Sequence, residues 1–225
     1  VNADGTNRRD LGASVDNRQG APEWAADGAS VFTTVQEHGN VRLYRLGVSG
    51  GAATAVVSEP GTVGSFSVGR AGQLAYAFTS PSDLAQLYLR ASGAATQARA
   101  LTELNADVLR GKTLGTMESF TFVSNDLKHE VEAWLVKPVG LTSTSSHPLI
   151  VNIHGGPHGV QGPAFNLQNQ VYAGLGWAVL MVNYRGSVGY GQAWADAVFR
   201  DQNGDEAQDV LYGVNAAIRR YTWVD

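Results

Sequence analysis

Short apolar runs, each broken by a glycine turn, fill the first half of the chain, and they repeat. Asp27-Gly28 precedes Val31-Phe32-Thr33-Thr34-Val35, and 44 residues on Ala71-Gly72 precedes Ala75-Tyr76-Ala77-Phe78. The same offset carries Leu43-Tyr44 onto Leu87-Tyr88. Each copy then reaches a small-residue turn, Val48-Ser49-Gly50 and Ala91-Ser92-Gly93, and Ala3-Asp4-Gly5 reads as the same turn one repeat earlier. Four strand-like runs in such a period fit one blade of a β-propeller, whose usual repeat is about 40–45 residues. Two unrelated hairpin pairs in a sandwich are the alternative. A propeller ring closes with about 4–8 blades, whereas residues 1–113 hold about two and a half. Val1 falls inside a blade, so the pattern predicts a chain that starts within a longer protein.

After Thr113 the pattern changes. Phe120 and Phe122 alternate with polar neighbours, Asn125-Asp126-Leu127-Lys128 reads as a turn, and Val131, Ala133 and Leu135 resume the alternation, which predicts a hairpin. A Ser/Thr-rich loop from Gly140 to Ser146 follows. Pro148 to Ile153 and Trp177 to Val182 are continuous apolar runs of the kind found in strands buried on both faces. Between them Leu167, Val171 and Leu175 recur at helical spacing, with Gly176 as the stop. Ala207, Val210, Leu211, Val214, Ile218 and Tyr221 mark a last helix, with Asp205, Glu206 and Asp209 in its first turns, where carboxylates suit the helix dipole. Strand and helix alternate, which predicts a mainly parallel sheet flanked by helices over residues 114–225. The expected fold class is mixed β and α/β.

Composition narrows the chemistry. The chain has 225 residues, 44% of them hydrophobic, enough apolar surface for a packed core. A net charge of −4 without a basic run gives no electrostatic footprint for nucleic acid or an anionic membrane. The longest apolar run is far short of a membrane span. Zero cysteines exclude disulfides, zinc knuckles and thiol nucleophiles together. The spacing of His147, His154 and His158 does not set two imidazoles on one helical face, so neither a metal nor any other cofactor is expected.

The candidate chemistry lies where the first buried strand runs into His154-Gly155-Gly156-Pro157-His158-Gly159. Adjacent glycines after a strand let the backbone approach a ligand closely and aim its N–H groups outward. In α/β-hydrolases a loop at this place lends one N–H to the oxyanion hole. The second buried strand runs into Asn183-Tyr184-Arg185-Gly186-Ser187-Val188-Gly189-Tyr190-Gly191. With these two motifs the chain resembles the prolyl oligopeptidase family of serine peptidases, in its acylaminoacyl-peptidase and dipeptidyl-peptidase branch. Upstream, Pro22-Glu23-Trp24-Ala25-Ala26-Asp27-Gly28 resembles the Trp-Ser-Pro-Asp-Gly signature of TolB-like propeller blades, with Ala25-Ala26 where Ser-Pro is usual.

The resemblance implies C-terminal blades of a β-propeller followed by the N-terminal half of an α/β-hydrolase domain, a peptide substrate and an acyl-enzyme mechanism. It implies that Gly156 is the oxyanion-loop backbone donor. His154 stands where some relatives carry an oxyanion tyrosine. Arg185 and Tyr190 are implied to anchor the loop near the active-site mouth; the alternative for Arg185, and the favoured one, is an ordinary ion pair with Asp201, Asp205 or Glu206. It also implies that the nucleophile elbow, and the Asp and His that follow it in chain order, lie beyond Asp225, so that this chain alone is inactive. The Gly47-Val48-Ser49-Gly50-Gly51 match to Gly-x-Ser-x-Gly is read as a turn between strands, because no apolar helix follows it. Asp196, Asp201 and Asp209 read as a solvated helix surface. Trp24, Trp134, Trp177, Trp194 and Trp223 read as packing residues, and His38 and His129 as solvent-facing. An esterase, or a non-catalytic propeller-containing binding protein, are the competing functions.

Overall fold

Two β-sheets carry the chain in the computed structural model, which describes residues 4–92, 97–142 and 144–225. Val1, Ala3 and Gly93, invoked for the repeat, lie outside the described residues.

The first sheet contains β1 (Glu23–Trp24), β2 (Ser30–Glu37), β3 (Asn40–Gly47), β4 (Thr54–Val57), β5 (Thr62–Val68), β6 (Leu74–Thr79), β7 (Gln86–Arg90) and β8 (Arg99–Ala100). It consists of two antiparallel meanders, β1–β4 and β5–β8, joined by a single parallel pair, Val41 with Thr62. The 44-residue offset superposes β2 on β6 and β3 on β7, so the sequence repeat is a structural one. Phe32, Leu43 and Val57 of the first meander share one core with Val63, Leu74, Tyr76 and Phe78 of the second. Neither meander buries its apolar face without the other. The Gly47–Gly51 segment is the turn from β3 towards β4, with Gly50 and Gly51 at φ +95° and +114°. Trp24 departs from expectation: it is 62% exposed, because β1 is a two-residue edge strand with nothing over its outer side.

A short helix, α1 (Ala106–Leu109), leads to the second sheet: β9 (Met117–Val123), β10 (Glu130–Val136), β11 (Leu149–Val151) and β12 (Ala178–Val182). Its order is β11-β12-β10-β9. The predicted hairpin is β9–β10, in register from Glu130–Val123 to Val136–Met117. The sheet is not mainly parallel. Only β11 and β12 run parallel, because β12 leaves its helix to pair with the hairpin strand β10 in the opposite sense. β12 is buried along its whole length, whereas β11 is a three-residue edge strand, half-buried rather than enclosed on both faces.

Three helices flank this sheet: α2 (Leu167–Gly174), α3 (Gln192–Asp196) and α4 (Asp205–Arg220). The apolar period located α2, but not its buried side. Leu167, Val171 and Leu175 face outward, while Asn169, Gln170 and Ala173 face the sheet. The polar pair is satisfied there: Asn169 accepts from Asn152 Nδ2, and Gln170 exchanges two bonds with the backbone of Gly115. On α4 the buried stripe is Asp209, Gly213 and Ala217, spaced four apart. A Cβ on Gly213 would sit 2.7 Å from Val182 Cγ2, so the absent side chain is what lets α4 lie close on β12.

The two sheets meet at the β2–β3 turn. His38 N–H donates to Gly189 O at 3.0 Å, and Gly39, at φ +72°, presses on Gly162. A Cβ on Gly162 would fall 2.0 Å from Gly39 O, inside backbone with no room to yield. Replacing Gly162 by Ala should therefore destabilise the protein by about 1–3 kcal/mol through overpacking. Gly174→Ala, whose Cβ meets open space on α2, should stabilise it by about 0.4–1 kcal/mol. Denaturant melts of the two variants check both signs, and equal midpoints would contradict the close approach.

Candidate active site

β11 ends in the His154–Gly159 loop and β12 ends in the Asn183–Gly191 loop, and the two loops are bonded to each other along their length. His154 Nε2 lies 3.0 Å from Ser187 Oγ, His158 Nδ1 lies 2.9 Å from Gly186 O, and Val188 N–H donates to Gly159 O at 3.0 Å. Further along, Gln161 and Asn183 exchange a pair of bonds, 2.9 and 2.8 Å. The His154 ring stacks on Tyr184 with centroids 4.4 Å apart, and the Tyr184 hydroxyl donates to His154 O. Asn183 through Gly189 are all buried, so the second loop forms a rigid bed for the first.

On this bed Gly155 and Gly156 stand exposed. Among the described residues neither glycine N–H donates to a protein acceptor, so both are free for a ligand. The Gly156–Pro157 peptide is cis, and Gly156 has φ +135°, a conformation that only glycine adopts without strain. Its missing Cβ would contact Gly159 N and His158 N at 2.9 Å, whereas a Cβ on Gly155 meets nothing within 4 Å.

His154, Ser187 and Tyr184 invite a comparison with a catalytic triad, and the geometry rejects it. Ser187 is fully buried and its hydroxyl donates to Tyr184 O at 2.6 Å, so it has neither access to substrate nor a proton for His154 to take. His154 Nε2–H is then the donor to Ser187 Oγ. Burial lowers the His154 pKa, against a smaller opposing effect of the Gly155 carbonyl, and burial likewise raises that of Tyr184. His154 is thus a neutral strut of the loop.

Arg185 is 4% exposed. Its Nε and its own backbone N–H both donate to Asp209 Oδ2, at 3.0 and 2.9 Å, and Nη2 donates to Asp209 Oδ1 at 2.8 Å. Nη1 reaches Asp205 at 2.7 Å and Asp126 at 3.3 Å, and Nη2 also reaches Ser124 Oγ and Asn125 Oδ1. Of the three expected partners only Asp205 is one. Asp201 instead accepts from Asp205 N–H and Glu206 from Asn203 and Gly204 N–H, both closing the start of α4. Asp209, read as a surface residue, is fully buried. The hydrogen bonds that the Arg185 guanidinium donates to Asp209 raise its pKa further, outweighing burial. The Lys128 N–H, with His129, holds the Asp126 carboxyl well below its usual range.

Tyr190 closes the second loop. Its hydroxyl donates to Glu132 Oε2 and accepts from Asn183 Nδ2, both at 2.6 Å, and its ring meets His38 edge-on. Burial, with the Glu132 charge, drives its pKa far above the ordinary value. Gly191 N–H and Gln192 N–H then bond Asn17 and Asp16 of the N-terminal segment. His38 and His129 are largely solvent-facing, as expected, although His129 also pairs with Asp126.

At the chain's end, Val224 forms a parallel bridge to His147, with His147 N–H donating to Trp223 O and Asp225 N–H to His147 O. No group of side chains that could hold a metal occurs among the described residues, and none of their helices is long and apolar enough to cross a membrane.

Known proteins resemble this chain in sequence and fold. The sequence profile of the prolyl oligopeptidase family matches residues 163–225. The uncharacterized peptidase YuxL of Bacillus subtilis is 31% identical over 205 residues, covering 91% of this chain and 31% of its own length. Dipeptidyl-peptidase 5 of Trichophyton schoenleinii is 26% identical over 206 residues, 89% of this chain and 28% of its own. Acylaminoacyl peptidase of Pyrococcus horikoshii superposes with a TM-score of 0.84 at 26% identity, over 96% of this chain and 33% of its own; an acylaminoacyl peptidase solved with Z-Gly-Gly-Phe-chloromethyl ketone matches equally well. Residues 163–225 thus carry the sequence of the prolyl oligopeptidase family, and the chain as a whole is similar to proteins named as peptidases. It spans about a third of the length of the curated relatives it matches.

His154 gives a pH test. Its folded-state pKa is depressed, so above about pH 6.5 both states are neutral and it adds no pH dependence. Below that the unfolded state takes up the proton first, and the fold loses stability as the pH falls. Thermal melts between pH 5 and 7.5 should show a smaller acid-side loss for His154→Gln than for the unsubstituted protein. Parallel profiles would contradict a neutral, stacked His154.

Proposed function

We propose that the protein is a serine-type peptidase that cleaves peptides through an acyl-enzyme, and that this chain supplies its oxyanion loop. The free N–H of Gly156, held rigid at the carboxyl end of β11, carries this reading. The nucleophilic Ser, the general-base His and the orienting Asp are supplied by residues beyond Asp225. The parallel bridge at Val224 supports this, since a strand continuing along β11 would end beside Gly155 and Gly156.

The chemistry follows from that placement. The serine hydroxyl attacks the peptide carbonyl while its proton passes to the histidine. The carbonyl oxygen becomes an oxyanion and accepts from Gly156 N–H, with a second N–H from the residue after the nucleophile. Collapse of the tetrahedral species expels the amine, which takes the proton from the histidine. Water then hydrolyses the ester by the same steps. A donor of this kind contributes about 3–4 kcal/mol to the transition state.

In this reading residues 1–113 are blades of a β-propeller and residues 114–225 open an α/β-hydrolase domain. The 44-residue repeat, realised as two meanders with a shared core, supports the blades. A propeller over the site restricts access, which favours short peptides. The relatives named as peptidases support the substrate class.

A serine-directed fluorophosphonate should label the longer protein at a serine C-terminal to Asp225, and should leave this chain alone unlabelled. Label on Ser49 or Ser187, or none on the longer protein, would overturn the proposal. In the longer protein Gly156→Ala should slow labelling by about 100-fold, the effect of displacing a reacting group by about 1 Å. Gly155→Ala, with open space around it, should label at close to the unsubstituted rate.

A further inference from the structure

We propose that Asp209 is a positioning residue of the active site: through Arg185 it sets the Tyr184–Val188 loop, and through that loop the backbone of Gly155 and Gly156. The inference rests on the acyl-transfer reading above and assigns a role to a side chain far along the sequence from the chemistry.

The argument starts from what Asp209 grips. One carboxylate oxygen accepts from both the guanidinium and the backbone N–H of Arg185, and the other from Nη2. The carboxylate therefore fixes the main chain of Arg185 as well as its side chain. A simple charge pair fixes only the side chain. It also accepts from Ser124 Oγ, so the β9–β10 turn is clamped to the same point. α4 brings the carboxylate to this depth because Gly213 and Ala217, one and two turns on, let the helix lie against β12.

From Arg185 the constraint passes in both directions along the loop. Tyr184, one residue back, supports His154 by stacking and by its bond to His154 O. Ser187, two residues on, is locked by its bond to Tyr184 O and receives His154 Nε2. Gly186 and Val188 hold His158 and Gly159. The residues on either side of Gly155 and Gly156 are thus all fastened to the segment that Asp209 fixes. Gly155 O lies 3.2 Å from His154 Nδ1, but among the described residues neither glycine N–H has a protein acceptor that would set where it points. Orientation has to be imposed from outside the loop, as a supporting shell orients the groups that touch a substrate.

The test uses the longer protein that carries this chain. Asp209→Asn keeps the shape and removes the charge, leaving Asp205 and Asp126 beside Arg185. It should lower kcat by about 10–100-fold with KM unchanged, the signature of a misplaced transition-state donor. Amide hydrogen exchange in the peptide 153–160 should quicken. Asp209→Glu, which restores the charge at a different reach, should recover part of kcat. Ser187→Ala cuts the link to His154 without touching the buried charges, and should reproduce the loss of kcat should Asp209→Asn fail to fold. A loss confined to KM, or unchanged exchange at 153–160 in a folded Asp209→Asn or Ser187→Ala protein, would overturn the proposal. If the unsubstituted protein proves inert to substrate and phosphonate, the peptidase reading falls, and exchange at 153–160 still decides the coupling.

Discussion

The second sheet is organised around one buried charge. Arg185 has almost no contact with water, and a guanidinium in that position persists only when its donors are matched. Asp209 and Asp205 from the start of α4, and Asp126, Ser124 and Asn125 from the β9–β10 turn, provide that match and tie both segments to the end of β12. Removing one partner of such a pair typically costs about 3–5 kcal/mol, because the remaining charge stays buried and unpaired. The planar fork of arginine, with donors in fixed directions, is what allows one side chain to tie three segments; a lysine ammonium has no such geometry.

In the proposed reaction this fixed point makes the end of β12 a template. A loop containing two adjacent glycines has too much conformational freedom to present an N–H in a constant direction by itself. Here it is bonded to a segment that is buried throughout. The burial of Asn183 to Gly189 is therefore a property of the site as much as of the core, since any looseness there would pass directly to the glycines. His154 fits the same scheme. Its ring is a spacer between Tyr184 and Ser187.

Much of this was legible in the sequence. The repeat at 44 residues, the β9–β10 hairpin, the buried β12 and the two glycine-bearing loops followed from period and punctuation, because each depends on local pattern. Asp209 did not. A carboxylate among the apolar positions of a helix reads as surface, and its burial depends on an arginine 24 residues earlier in the chain. The spacing of Asp209, Gly213 and Ala217 was the available signal, a small-residue stripe marking where the helix lies close. The same blindness affected α2, where the apolar face points out and Asn169 and Gln170 point in because their partners, Asn152 and Gly115, lie far away in sequence. The direction of β10 against β12 was likewise invisible, since nothing local distinguishes a parallel neighbour from an antiparallel one.

The contact between the two sheets has a different character from the rest. At the β2–β3 turn it is made by main-chain atoms and by glycines: His38 N–H to Gly189 O, and Gly39 against Gly162. Nearby, Gly191 N–H is held by the short side chain of Asn17. A joint built this way asks little of the surrounding side chains. The outer surfaces of the meanders can differ in sequence without altering how the two halves are set against each other, and the division between what can vary and what must stay falls at a pair of glycines.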